Sequence, residues 1–320
     1  MINFSFLGGI ADIGALDWFV CLGYLILVVS LGLWFSHDQS SNDDFFLGGR
    51  NMHWMPVGLS LFATTMSSNS FVGLPAEGAF GNYHQLLAIL FIPFVIVPIV
   101  CYWFIPFYKR MGSVSLYEYL ERRFNRKVRL FASGVFMFYS AGWMATMLLA
   151  VSRILEVVLE TESNTDAILM IVVVGALATL YTAVGGVKAV IWTDTIQAFA
   201  LGGGLFVLLF FIVSQIHGGW SGLITRGMEA DKFEMFATGG GWGERNVYSA
   251  CAYGFVIYFG AQVATYGGFQ RYVTVDTITD ARRSLYVKGL FTLFACTLFF
   301  LVGTALYVFY QQTAETVETF

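Results

Sequence analysis

Residues 55–80 read MPVGLSLFATTMSSNSFVGLPAEGAF, a stretch long enough to cross a membrane at 1.5 Å per helical residue. Its middle is Thr64-Thr65-Met66-Ser67-Ser68-Asn69-Ser70, and its end carries Gly73, Pro75 and Gly78. Hydrocarbon holds no water to satisfy stray backbone groups, so a polar span interrupted by Gly and Pro is tolerated only where protein or a hydrated cavity surrounds it. The stretch therefore reads as a broken helix lining a binding site, and it sets the fold expected of the remainder.

That remainder is apolar. Of 320 residues, 57% are hydrophobic, 18% aromatic and 12% charged, with a mean hydropathy of +0.70. This is too apolar for one soluble core with a solvated surface, and it predicts an all-α polytopic membrane protein whose partner is the lipid bilayer. Apolar runs of roughly 20 residues recur, where barrel strands would alternate over about 10. The net charge of −4 and the lack of a basic patch interleaved with aromatics exclude nucleic acid as a partner. Cys21, Cys101, Cys251 and Cys296 all fall in apolar runs, where a small buried thiol is the default, and their spacing suits neither a disulfide framework nor a transition metal. No Ser/His/Asp or Cys/His constellation and no nucleotide loop is visible, so the chain does not read as an enzyme. Gly202–Gly204 read as close helix packing. Nothing implies an obligate protein partner. The first apolar run lacks a basic leader and a small-residue cleavage site, so it reads as a retained span.

Eight spans are predicted, at 16–35, 55–80, 85–107, 130–158, 166–184, 189–216, 248–271 and 287–310. If the N-terminus is outside, 13 of the 17 Lys and Arg fall in inside segments, which fixes that orientation. The inside segment at 108–129 has its own organisation: Ser115 and Glu118 form a capping box, and Leu116, Leu120 and Phe124 share a face beside Arg122, Arg123 and Arg126, as an interfacial helix would. Segment 217–247, Gly-rich and carrying Trp220 and Trp242, reads as an extracellular loop with room for a short helix.

The span at 248–271, YSACAYGFVIYFGAQVATYGGFQR, is interrupted as well, by Gly254, Gly260, Gly267 and Gly268, and puts Gln262, Thr265 and Tyr266 at depth. Counting from 55–80, the first broken span opens a group of five helices (55–216) and the second opens the next group, of which 248–310 supplies two. Five is odd, so the second group starts from the opposite face, as in an inverted-repeat transporter whose paired broken helices mark a midplane site. On this reading 1–320 is one incomplete transmembrane domain with at least three core helices missing.

Several separated motifs carry a resemblance. FFLGGR at 45–50, SLFATTMSSNSFVGLPAEGAF, FIPFYKR followed by SLYEYLERRFNRKVR, YTAVGGVKAVIWTDTIQ at 181–197, FQRY at 269–272 and GTALYVFY at 303–310 occur in the order and places of the sodium:solute symporter family, which this chain resembles from about residue 17 onward. GLPAEGAF and GTALYVFY are most similar to its iodide, multivitamin and monocarboxylate branch. The resemblance implies sodium-coupled symport of a small solute across the plasma membrane by alternating access, with Na+ as co-transported ion and no organic cofactor. Two rivals stay open, a symporter-like sensor fused to a histidine kinase and a passive facilitator.

By the same resemblance, the backbone carbonyls of Ala63 and Met66, with Ser67 nearby, form one half of the sodium site, the other half belonging to a later helix. The residue-level alternative is that the Thr/Ser run bonds back to its own preceding turn. Asp194, with Gln197 on its face at i+3, is either an interfacial charge paired with Lys188 or hydrated from the cytoplasm, or, as the resemblance implies, part of the sodium release path or a second sodium site. Substrate contacts implied by position are Asn69 and Ser70 on the first core helix and Tyr258, Gln262 and Thr265 on the sixth. Tyr258 and Phe259 either stack on a ligand or pack. Glu77 either snorkels to the outer interface or tunes cation entry. His84 reads as a solvated loop residue.

Overall fold

The computed structural model describes residues 15–36, 45, 47–112, 115–158, 164–241 and 246–318. Phe46, Trp242 and Arg245, and the side chains at 181–184, lie outside the described residues. Among the described residues every regular element is helical: α1 (Ala15–Ser36), α2 (Trp54–Thr65), α3 (Ser68–Phe80), α4 (His84–Met111), α5 (Leu116–Arg123), α6 (Arg126–Val158), α7 (164–185), α8 (187–215), α9 (Gly219–Glu229), α10 (Val247–Ala264), α11 (Tyr266–Thr274) and α12 (Ile278–Glu318). α7 and α8 are divided at Gly186, whose φ of 60° and ψ of −170° suit glycine and end one helix before the next begins.

Five of these helices, α4, α6, α8, α10 and α12, are long and apolar enough to cross a membrane. Shorter apolar helical stretches run Phe19–Leu31 and Thr165–Leu180. The stretch at 55–80 is divided into pieces of 12 and 13 residues, each too short to span alone. Each of the eight expected spans thus has helical counterparts, with α4, α6 and α12 extending beyond their expected ends.

The first core helix is broken within its polar run, beside the carbonyls expected to be released there. The break falls at Met66 and Ser67, both in extended backbone, while Gly73, Pro75 and Gly78 lie inside α3. The helix stops because hydroxyls compete for its carbonyls: Thr64 donates to the Ser60 carbonyl (2.8 Å) and Thr65 to that of Phe62 (2.7 Å). It restarts because Ser67 caps α3, its hydroxyl accepting from the Ser70 amide at 3.3 Å. In α4, Pro93 and Pro98 are absorbed by π turns at Ile92–Ile96 and Val100–Phe104 rather than by a break.

α12 is the spine against which both halves of the broken helix pack. Gly58 of α2 lies on Ser284 and Val287, and Gly78 of α3 lies on the Phe300 carbonyl. Gly303 lies on Pro75 in the same crossing. The core gathers around them from Leu61, Ile89, Ile96, Val100, Phe269, Tyr272 and Phe300. α1, α6 and α7 instead present large exposed apolar side chains such as Phe19, Phe131, Phe138 and Leu180, a surface suited to acyl chains. Cys21 shares that exposed face, whereas Cys101 and Cys296 are buried as expected. Gly202, Gly203 and Gly204 have no described atom within 4 Å of an added Cβ, so the close packing expected of them is not seen among the described residues.

α5 forms as the capping box predicts, with the Ser115 hydroxyl accepting from the Glu118 amide at 3.2 Å. It is tethered by ion pairs Glu118–Arg122 and Glu121–Arg129.

Candidate functional site

A cavity of about 260 Å³ opens at the break between α2 and α3. It is lined by Ala63, Met66, Ser67 and Ser68 at the break, Phe71 on α3, Gln197, Ala198 and Leu201 on α8, and Phe299 on α12. All three residues expected at the sodium site therefore share one space with Gln197. The Met66 amide donates to both the Phe62 (3.2 Å) and Ala63 (3.1 Å) carbonyls. Each carbonyl oxygen has two lone pairs, so a bonded carbonyl keeps capacity for a cation. Among the described residues no group of three His, Cys, Asp or Glu could hold a metal ion, so any cation here rests on carbonyl and hydroxyl oxygens. Thr64 and Thr65 thus bond back to their own turn, as the residue-level alternative had it, while Ala63, Met66 and Ser67 line a cavity.

Asp194 is engaged differently from its neighbour Gln197. Its Oδ2 accepts from Ser60 Oγ at 2.6 Å and from Arg271 Nη2 at 3.0 Å, and Arg271 Nε donates to Ser60 Oγ at 2.7 Å. Arg271 and Asp194 are only 11% and 12% exposed, so the pair sits largely out of water and binds α2, α8 and α11 together. The partner of Asp194 is thus Arg271 with Ser60, in place of the Lys188 or cytoplasmic water considered from sequence.

The second break lies at Thr265 (φ −83°, ψ 137°), between α10 and α11. The carbonyls released there are taken by tyrosines: Tyr108 donates to Val263 O at 2.8 Å, and Tyr272 donates to Gln262 O at 3.2 Å and Gln262 Oε1 at 3.0 Å. Gln262 is therefore buried and tied to Tyr272, and Thr265 donates to the Ala261 carbonyl at 2.8 Å. Neither lines the cavity, because both serve the geometry of the break. Tyr258 is half-buried, packed edge-on to Tyr253 with ring centroids 6.1 Å apart. Asn69 is exposed, and Ser70 lies within 3.3 Å of Ser67 through both its amide and its hydroxyl.

The loop from α9 to α10 is strapped over the end of α3. Lys232 is 8% exposed, donates to Ala79 O (2.7 Å) and Gly81 O (3.3 Å), and stands 4.0 Å over the Tyr307 ring. Its ammonium satisfies carbonyls at the negative end of α3, while burial lowers its pKa from the ordinary lysine value. Beside it, His84 is buried with Nδ1 2.9 Å from the Glu234 carbonyl, which corrects its reading as a solvated residue. Burial pushes the Tyr83 hydroxyl up to about 12, so it meets Thr304 Oγ1 at 3.2 Å as a neutral group. Lys232→Met keeps the stem and removes the donors, and is expected to cost about 1–2 kcal/mol of local stability. The readout is amide exchange across 231–239, roughly ten-fold faster than in the parent; unchanged exchange would show that the strap is held elsewhere.

A family model described as "Sodium:solute symporter family" matches residues 45–318. The chain belongs to the sodium:solute symporter family. It is 33% identical over 305 residues to the sodium/sialic acid symporter SiaT of Proteus mirabilis, covering 94% of this chain and 60% of that protein. It is 29% identical over 314 residues to mouse sodium-coupled monocarboxylate transporter 1, covering 94% of this chain and 49% of that one. Among solved structures, the substrate-bound outward-open state of a Na+-coupled sialic acid symporter superposes with a TM-score of 0.86 at 32% identity, over 95% of this chain and 62% of that chain. The chain thus spans about 60% or less of the length of these relatives, which are transporters and not enzymes. As a family member it is an all-α, multi-pass membrane protein with the inverted-repeat transporter fold expected from its two broken spans.

Within this family member, sequence reasoning missed Ser60, Arg271 and Phe299 as parts of the site. Arg271 lies inside the FQRY motif, but its partner is 77 residues away. A buried carboxylate demands a cation, and that demand was the available signal; nothing in the sequence says which cation answers it.

Proposed function

We propose that this chain forms the sodium- and solute-binding portion of a Na+-coupled secondary symporter that works by alternating access. The observation that carries the reading is the cavity at Met66–Ser67, where Ala63, Met66 and Ser67 at a helix break line a space shared with Gln197; the Ala63 and Met66 carbonyls and the Ser67 hydroxyl are the proposed ligands. Sodium needs several oxygens and no acid–base chemistry, and a broken helix supplies them without a carboxylate. The names of the relatives, Na+-coupled symporters of sialic acid and monocarboxylates, support the coupling ion. Asn69 and Ser70, opening α3 beside the break, are the proposed solute contacts, together with Tyr258 from α10. Asp194 takes a different part, closing α2 to α8 and α11 through Arg271 while Gln197 faces the ion. Residues 55–216 form the first repeat in this reading, with the N-terminus outside the cell membrane as the Lys and Arg distribution supports.

The energetics suffice. A tenfold sodium gradient supplies about 1.4 kcal/mol and 100 mV about 2.3 kcal/mol per charge, enough in sum for a solute gradient of several hundred-fold. The test is thermal unfolding of the purified chain in NaCl against choline chloride at equal ionic strength. A ligand at 100 times its Kd stabilises by about 2.7 kcal/mol, so the melting point is expected to rise with Na+, and the rise to shrink in Ser67→Ala and Gln197→Leu. Equal melting in both salts, or an undiminished rise in both variants, would overturn the assignment of the ion to this cavity.

A further inference from the structure

α12 carries two polar side chains that the sodium site does not use. Lys288 and Thr292, each 3% exposed, stand one turn apart on its buried face. Thr292 Oγ1 has no hydrogen-bond partner among the described residues. Lys288 makes no hydrogen bond or ion pair with them either, and no carboxylate among them acts on its ammonium.

Their surroundings locate them. On one side of Lys288, Ser284 and Val287 lie against Gly58 of α2, and Phe291 meets Phe62 of α2 with ring centroids 6.0 Å apart. On the other side, Gly289 lies against Pro93 and Val97 of α4. Lys288 therefore sits in the seam between α2 and α4. Along the same buried stripe, 11 residues on and about 16 Å away at helical rise, Phe299 lines the cavity at the break. Other cations at this end of the bundle are spent on backbone or carboxylates: Arg282 Nε donates to Cys101 O at 2.9 Å, Lys109 donates to the Val275 carbonyl, and Arg283 pairs with Asp280 at 3.5 Å. Lys288 and Thr292 keep their donors. A buried ammonium without a counter-charge is costly, and an ammonium with a hydroxyl one turn away is the donor set for a carboxylate.

We propose that Lys288 and Thr292 form a carboxylate-binding station on the inward side of the cavity, and hence that the solute handled by this chain is an organic anion. The inference rests on the symporter reading and supplies its solute class. The station lies between the cavity and the inner end of α12, so an anion leaving the cavity meets fixed donors before it reaches the cytoplasm.

The experiment is equilibrium binding of radiolabelled propionate to the full chain in lipid nanodiscs, with propionamide as neutral competitor and chloride as inorganic competitor. Wild type is expected to bind propionate saturably, with competition by neither. Lys288→Met is expected to weaken binding at least tenfold and Thr292→Val about threefold, with partial retention in Lys288→Arg. Lys288→Met is also expected to melt at or above wild type, since it removes an unpaired buried charge, and so to be folded. Undiminished binding in Lys288→Met, no saturable binding in wild type, or chloride competing as well as unlabelled propionate would each overturn the proposal. Sodium-induced stabilisation, measured in parallel, separates the two readings. If it persists while propionate does not bind, the carboxylate station alone fails. If it is absent while binding depends on Lys288, the sodium assignment fails and the station stands.

Discussion

Asp194→Ala is expected to destabilise the chain by about 3–5 kcal/mol, the cost of breaking a buried ion pair by removing one partner. The variant strands the Arg271 guanidinium beside Ser60, with side-chain exposure of 11% and its counter-charge gone. Arg271→Met leaves the Asp194 carboxylate with Ser60 alone and is expected to fall in the same range. The double variant Asp194→Ala/Arg271→Met removes both charges, and should recover a large part of the loss. Chemical unfolding of the four proteins closes the cycle, with a coupling of several kcal/mol expected for charges 3.0 Å apart in a site largely shielded from water. Additive single effects would show that the two side chains do not depend on each other.

The same pair has a conformational consequence, because Ser60, Asp194 and Arg271 come from α2, α8 and α11. In the alternating-access reading proposed above, opening inward parts elements of the two proposed repeats, and this cluster would be a polar tie between them. Either single variant is therefore expected to raise the maleimide reactivity of Cys101, which is fully buried in the parent with Sγ 3.8 Å from the Arg282 carbonyl. Labelling resolved by mass spectrometry distinguishes it from the exposed Cys21. Unchanged Cys101 reactivity in a destabilised variant would confine the pair to static stability.

What could be read from sequence divides along the range of the interactions involved. The existence of both breaks was legible, since Thr64–Ser70 and Gln262–Tyr266 place hydroxyls and amides where hydrocarbon would punish them. The capping box of α5 was legible for the same reason, because its donors and acceptors lie three residues apart. The position of the first break was less so. Gly73 and Pro75 are the stronger breakers by propensity, but Thr64 and Thr65 withdraw carbonyls from the ladder about two turns earlier and Ser67 restarts it, leaving Pro75 inside α3. Pairings across the bundle were not legible. Nothing local to Asp194 selects Arg271 over Lys188, and nothing local to His84 reveals that the Glu234 carbonyl, 150 residues on, covers it. Gln262 shows the same limit from the other side. Its depth was right, but its amide oxygen belongs to Tyr272, so polarity at depth marked the break and not a ligand contact.

The α3–α12 crossing supplies the second large effect. A Cβ at Gly303 would stand 2.0 Å from the Pro75 carbonyl oxygen and 2.9 Å from the Ala79 amide nitrogen, and one at Gly78 would stand 2.3 Å from the Phe300 carbonyl oxygen. These neighbours are backbone, so no side chain can rotate away and the helices themselves must separate. Gly303→Ala is accordingly expected to cost about 3 kcal/mol, at the upper end for overpacking, although alanine is the better helix former. Gly73→Ala is the internal control: the same substitution inside α3, the other helix of the crossing, with no described atom within 4 Å and an expected gain of up to about 1 kcal/mol from propensity. Opposite signs in thermal unfolding would assign the cost to the crossing and not to the helix. The crossing also bears on the cavity, since Phe71 of α3 and Phe299 of α12 both line it and meet edge-on with ring centroids 5.9 Å apart. Forcing α3 from α12 at Gly303 pulls these rings apart one turn away, so Gly303→Ala is expected to lose sodium-dependent stabilisation along with stability, whereas Gly73→Ala keeps both. A Gly303→Ala protein that is destabilised but still gains fully from Na+ would show that the ion is held by the α2–α3 break alone, without the support of α12.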